Sequence, residues 1–271
     1  MAENTLDNVN PDGTRAELTQ LFSNLSSNDV KNIFLSSLKE AASATVMTKI
    51  TSLGDFVEFV FTGSIQATKY IYKIIKEEKW KFPARMFRDF SEVVRTRALL
   101  LETVWKSMSD EERKDTAIDF LVIVFSAFIV GGGVDMEGGM PDLDIKTGIG
   151  NHRNVFSHTI LLGLTLELAL RFLGNILINL DERGIKPSSK LLSSVLNFVK
   201  DKHEKAIQGM WIGLFFHYLK DANLLSAKTK PYAGLNGLSM GTHKGIFASN
   251  AILSAIFATN VDAKKVDEEK M

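Results

Sequence analysis

The chain has 271 residues, enough to bury a sizeable core as one large domain or as one domain with a helical extension. Lysine plus arginine number 32 and aspartate plus glutamate 32, so the formal net charge is zero, which argues against a protein that binds nucleic acid by neutralising its phosphates. A hydrophobic share of 45% excludes intrinsic disorder, and the absence of cysteine excludes disulfides, thiolate zinc sites and cysteine nucleophiles. Any metal must therefore be held by histidine and carboxylate.

In chain order, residues 1–18 are polar and carry Asp7, Asp12 and Glu17. They lack the basic stretch and apolar run of a secretory signal, so the expectation is a chain retained on the cytoplasmic side. Helices are expected over 16–25 and 28–49, the second capped by Ser27 or Asn28. A further helical pattern covers 52–79, is broken by Pro83 and resumes over 84–107. Asp110, Glu111 and Glu112 form the acidic first turn of the next helix, which suits the helix dipole. Strand-like alternation is nearly missing.

Four apolar segments follow, at 120–134, 159–180, 209–219 and 245–261. Only the second reaches the roughly 20 residues that a bilayer crossing needs, and it contains Glu167 and Arg171 at pairing distance i,i+4. These segments read either as buried helices of a soluble core or as short spans or interfacial helices. The fold class expected is all-α. It comprises an N-terminal helical region over 1–115, a helical bundle over 116–260 with a His/Asp metal site between helices, and a fraying charged tail over 261–271.

All five histidines lie in the C-terminal half, and three clusters carry the chemistry. The first is Pro141-Asp142-Leu143-Asp144 behind a glycine-rich turn. In an extended segment its two carboxylates point the same way and could share a cation. The second runs from Asn151 through His152, Arg153 and Ser157 to His158, with Ser157 as expected N-cap and His158 in the first helical turn. The third is His217 and Asp221, spaced i,i+4 on one face of an apolar helix. There Asp221 either joins His217 on one metal or orients it from behind. His203, within Asp201-Lys202-His203-Glu204-Lys205, reads as solvated surface.

In order, these pieces are Pro141-Asp142-x-Asp144, Gly150-x-His152-Arg153-x-x-x-Ser157-His158 and Gly209-Met210-x-x-Gly213-x-x-x-His217-x-x-x-Asp221. Over roughly 120–225 the chain resembles the YdjM-like family, bacterial inner-membrane proteins described as metal-dependent hydrolases. That family is itself similar to the all-α zinc phospholipase C and P1-type nuclease group. The resemblance implies Asp142, Asp144, His152, His158, His217 and Asp221 as metal ligands, with Arg153 matching the arginine after the first loop histidine. Ile145-Lys146 stands where the family has His-Pro, and one extra residue separates Arg153 from the second histidine. No histidine opens the first apolar helix. The stretch Gly241-Thr242-His243-Lys244-Gly245 looks like that opening displaced to the C-terminal end, which makes His243 a seventh ligand candidate or else an exposed loop histidine.

The expected function is a metal-dependent hydrolase of phosphoesters, with membrane lipid as a candidate substrate. Zinc, or manganese or iron, would activate water, and Arg153 and Asp144 are the candidate catalytic groups. The location expected is the inner membrane or its cytoplasmic face. A P1-type nuclease is a weaker reading, because no basic aromatic stripe appears. The remaining alternative is a membrane or interaction protein with a structural metal site, residues 1–115 then binding a protein partner.

Overall fold

A computed structural model describes residues 11–42, 82–134, 136, 138–148, 153–224, 226 and 231–259. The expected helix over 52–79, the tail over 261–271 and the candidate ligand His152 lie outside the described residues. Among the described residues the architecture is all-α, with no strand.

Helices α1 (Pro11–Ser23) and α2 (27–42) are followed by α3 (Phe82–Ser107) and α4 (Asp110–Gly131). After a 3-10 helix, Pro141–Thr147, come α5 (Ile160–Glu182), α6 (Lys190–Ala222) and α7 (Met240–Thr259). Pro83 is the second described residue of α3, a position where a missing N–H costs nothing. The cap of α2 is Ser26, one residue before the pair expected: its hydroxyl accepts the Asp29 N–H while Asp29 Oδ2 accepts the Ser26 N–H. Ser109 and Glu112 repeat this reciprocal pattern at the start of α4.

Contacts divide the chain into Ile50–Leu121 and a second unit made of Met1–Lys49 with Val122–Met271. Helices α1 and α2 thus belong with the histidine-bearing half, a grouping different from the 1–115 region expected. Named contacts explain why. Asp29 on α2 takes a two-pronged bond from Arg183 at the end of α5, at 2.5 and 3.1 Å. Asn175 on α5 donates to Ser37 Oγ and Glu40 Oε2, both at 3.0 Å, and Phe34 meets Phe172 edge to face.

The core of this unit lies along α6 and α7. Ile207, Trp211, Leu214 and Tyr218 on α6 are fully buried, as is Phe247 on α7, and Trp211 packs edge-on to Phe257 with ring centroids 4.8 Å apart. The expected Glu167–Arg171 pair forms inside α5, at 2.9 Å and fully buried, and Trp211 Nε1–H donates to Glu167 at 2.8 Å. His203 departs from its reading as solvated surface. Its ring lies half-buried against Gly174 of α5.

Helices α4 and α6 approach backbone to backbone. A Cβ on Gly209 would stand 2.3 Å from the carbonyl oxygen of Ile123, and one on Gly213 would stand 2.5 Å from that of Ala127. Gly209 and Gly213, four apart on α6, let the two backbones touch. Gly209→Ala is therefore expected to lower the melting temperature, at a cost of about 1–3 kcal/mol or more, because backbone cannot give way. Gly245 on α7 has nothing within 4 Å of its Cβ position, so Gly245→Ala should leave stability unchanged or raise it. Equal melting of Gly209→Ala and the unsubstituted protein would contradict this packing.

Candidate metal centre

Three pieces of chain bring the site together. The α4–α6 approach sets the carbonyl of Gly131, at the end of α4, 3.1 Å from His217 Nδ1 on α6. The chain then turns back on α4. Met140 N–H bonds to Val130 O at 3.0 Å, and Gly139 fits this crossing because a Cβ there would lie 2.4 Å from that same oxygen. The turn delivers the 3-10 helix that carries Asp142 and Asp144. The third piece, the loop 153–159, is held by two tyrosines. Tyr218 Oη–H donates to Thr159 O at 2.7 Å, and Tyr232 Oη–H donates to His158 O at 2.7 Å.

Four side-chain atoms converge where these pieces meet. His158 Nε2 lies 3.3 Å from Asp142 Oδ1 and 3.5 Å from Asp221 Oδ2. His217 Nε2 lies 3.7 Å from Asp142 Oδ1 and 3.5 Å from Asp221 Oδ2. Asp142, His158 and His217 offer ligand atoms all within 4.8 Å of one another, and this buried group could hold a metal ion. Ligands held about 2.0–2.2 Å from a tetrahedral ion sit about 3.3–3.6 Å apart, a range that holds three of the four contacts, with His217–Asp142 at 3.7 Å just beyond it. Among the described residues, His217 Nε2 and Asp221 Oδ2 are buried without a hydrogen-bond partner, so the donor set fits a cation on an observation independent of spacing.

The ring orientations point the same way. His217 Nδ1 faces a carbonyl, which can only accept, so Nδ1 carries the proton and Nε2 presents a lone pair to the two carboxylates. Burial first of all pushes the His217 pKa below its ordinary value, despite the opposing fields of Asp221 and Asp142. Burial also opposes ionisation of Asp142. The His158 contact, the Gly138 N–H and the field of His217 outweigh it and hold this carboxyl well below the usual range.

Of the expected ligands, then, Asp142, His158, His217 and Asp221 come together. Asp144 meets His158 from the other side of the ring, with Oδ2 3.3 Å from Nδ1. The reason is the 3-10 helix. The sequence suggested an extended segment in which i and i+2 share a side, whereas three residues per turn aim them about 120° apart. His243 is buried in the first turn of α7, not in an exposed loop. Its Nδ1 accepts the Tyr232 N–H at 3.2 Å, one layer behind His158. Ser157 is not the N-cap of α5. Thr159 is, its hydroxyl accepting the Leu161 N–H, so His158 precedes the helix.

Arg153 completes the site. Its Nη2 donates to Asp221 Oδ1 at 2.5 Å, while its Nε and Nη1 are buried with no partner among the described residues. Its backbone φ of +65° is in the left-handed region, a strained choice for a side chain of this size and one that clusters at functional sites.

Sequence reasoning missed Asn154, Tyr218 and Tyr232 and mistook the part of Ser157. The spacing Asn154-x-x-Ser157 carried a usable signal, since Asn154 Oδ1 accepts the Ser157 N–H as asparagine does in tight turns. The tyrosines bond to loop carbonyls far away in sequence and left no local signal. No family model, curated protein or solved structure matches the chain.

Proposed function

We propose that the protein is a metal-dependent hydrolase of phosphoesters, with one transition-metal ion held by Asp142, His158, His217 and Asp221. The observation that carries this reading is the convergence of two imidazole nitrogens on two carboxylate oxygens, with His217 Nε2 and Asp221 Oδ2 buried and without a hydrogen-bond partner among the described residues. Two nitrogens and two hard oxygens suit zinc, with manganese or iron as alternatives. Such an ion, when bound, lowers the pKa of a coordinated water to about 7 and polarises the phosphoryl oxygens. Arg153 contributes charge of its own, because its Nε and Nη1, without a partner among the described residues, can each donate to a phosphate oxygen.

A membrane-proximal substrate is the second part of the proposal. Leu143 and Ile145 beside the carboxylates, Val155 and Phe156 beside Ser157, and Leu224 just beyond α6 are all exposed. On α4, Val124, Phe125, Phe128 and Ile129 are exposed as well. Among the described residues one helix, α5, is long and apolar enough to cross a membrane, and only 33% of its most apolar stretch is buried. Exposed apolar groups around a phosphate-binding arginine favour a phospholipid headgroup over a soluble ester or a nucleic acid.

Fractionation and activity test the two parts separately. The protein is expected in the membrane fraction and, after detergent extraction with zinc present, to cleave a phospholipid. Recovery as a monodisperse soluble protein without detergent would remove the lipid part. A protein that holds metal but turns over neither phospholipid nor a generic phosphodiester would make the metal structural.

A further inference from the structure

The loop behind His158 is more heavily built than a metal ligand needs for itself. Asp144 Oδ2 accepts three hydrogen bonds, from Ser157 Oγ–H at 2.5 Å, Asn154 Nδ2–H at 3.0 Å and the Asn154 N–H at 3.1 Å. Ser157 Oγ also lies 2.9 Å from His158 Nδ1. A serine hydroxyl has one hydrogen, and here a carboxylate holds it. Toward His158 the hydroxyl can therefore offer only a lone pair, so the proton on that side must sit on Nδ1. Both Ser157 and Asp144 are buried, which keeps water from substituting for either.

We propose that Ser157 and Asp144 are positioning residues that fix His158 in its Nδ1–H tautomer, so that Nε2, which faces Asp142 and Asp221, is the nitrogen that meets the metal. The proposal rests on the metal reading above and deepens it, moving Asp144 from the ligand set to a place behind it. His217 achieves the same end with a backbone carbonyl. His158 stands in a loop, with no helix end to supply a carbonyl, and uses a side-chain relay. Outer partners of this kind orient ligand histidines in known metal sites, and their loss typically costs about 10–100-fold in metal affinity.

Zinc titration and histidine nitrogen NMR of the metal-free full chain test this with three substitutions. In Ser157→Ala the Nδ1 proton loses its nearest acceptor. The remaining one, Asp144 Oδ2, is 3.3 Å away and already accepts from Asn154 twice. Zinc affinity is expected to fall about 10–100-fold, and the Nε2–H tautomer of His158 to become populated. Ser157→Thr keeps the hydroxyl and should restore both. Asp144→Asn keeps an oxygen for the same three donors and should lose less affinity than Ser157→Ala. The reverse order, with Asp144→Asn abolishing zinc binding and Ser157→Ala retaining it, would make Asp144 a ligand and overturn the proposal. An unchanged tautomer together with unchanged affinity in Ser157→Ala would overturn it too. Failure of the unsubstituted protein to bind any metal would defeat the metal reading alone, and the tautomer comparison would still decide the relay.

Discussion

Asp142→Ala and His217→Ala are each expected to abolish phosphoester turnover and to lose the metal. Each residue supplies one of four converging atoms, and its removal opens a buried face of the ion to nothing that can replace the ligand. The loss of affinity should exceed the roughly 10–100-fold seen when a group behind a ligand is removed. His203→Ala is the control. It lies 14 residues before His217 on the same helix, about 21 Å along the axis, and should lose packing against Gly174 while keeping metal and rate. Full metal and full rate in Asp142→Ala, or equal losses in His203→Ala and His217→Ala, would refute the assignment.

Arg153→Lys should separate metal binding from chemistry. Lysine keeps the positive charge beside Asp221 but gives up the planar fork, so metal content should be unchanged. A charge-assisted contact made chiefly in the transition state is worth about 2–4 kcal/mol, by analogy with other oxyanion donors, so the rate should fall about 10²–10³-fold. Lysine at a position with φ of +65° adds no new backbone strain, because arginine already bears it. Loss of metal in this variant would mean that Arg153 holds Asp221 in place and does not meet the substrate.

Much of this site was legible before any coordinates. The i,i+4 spacing of His217 and Asp221 in an apolar run predicted one buried helical face, and both residues are there, 3.5 Å apart. The Glu167–Arg171 pair was equally plain, since helical spacing alone brings such residues together. The all-α fold followed from the near absence of alternating patterns.

What failed did so for reasons that are not local. Asp142 and Asp144, on a Pro-led turn, were expected to share a side if their segment ran extended. The 3-10 turn that parts them is set by the fold-back of the chain at Gly139 against α4. Ser157 looked like an N-cap, a role its neighbour Thr159 takes, because the buried Asp144 carboxylate claims the Ser157 hydroxyl. His203 sits in a run of charges that reads as solvated, yet its ring lies half-buried against Gly174 on α5. Each of these depends on a partner far off in sequence, which no reading of spacing along one segment can supply.

The presence of a metal is the claim on which the functional reading turns, and elemental analysis of the full chain purified without chelator tests it most directly. About one transition-metal ion per chain is expected, zinc foremost, with none in His217→Ala purified alongside. A protein free of stoichiometric metal that cannot be loaded with zinc, manganese or iron would contradict it.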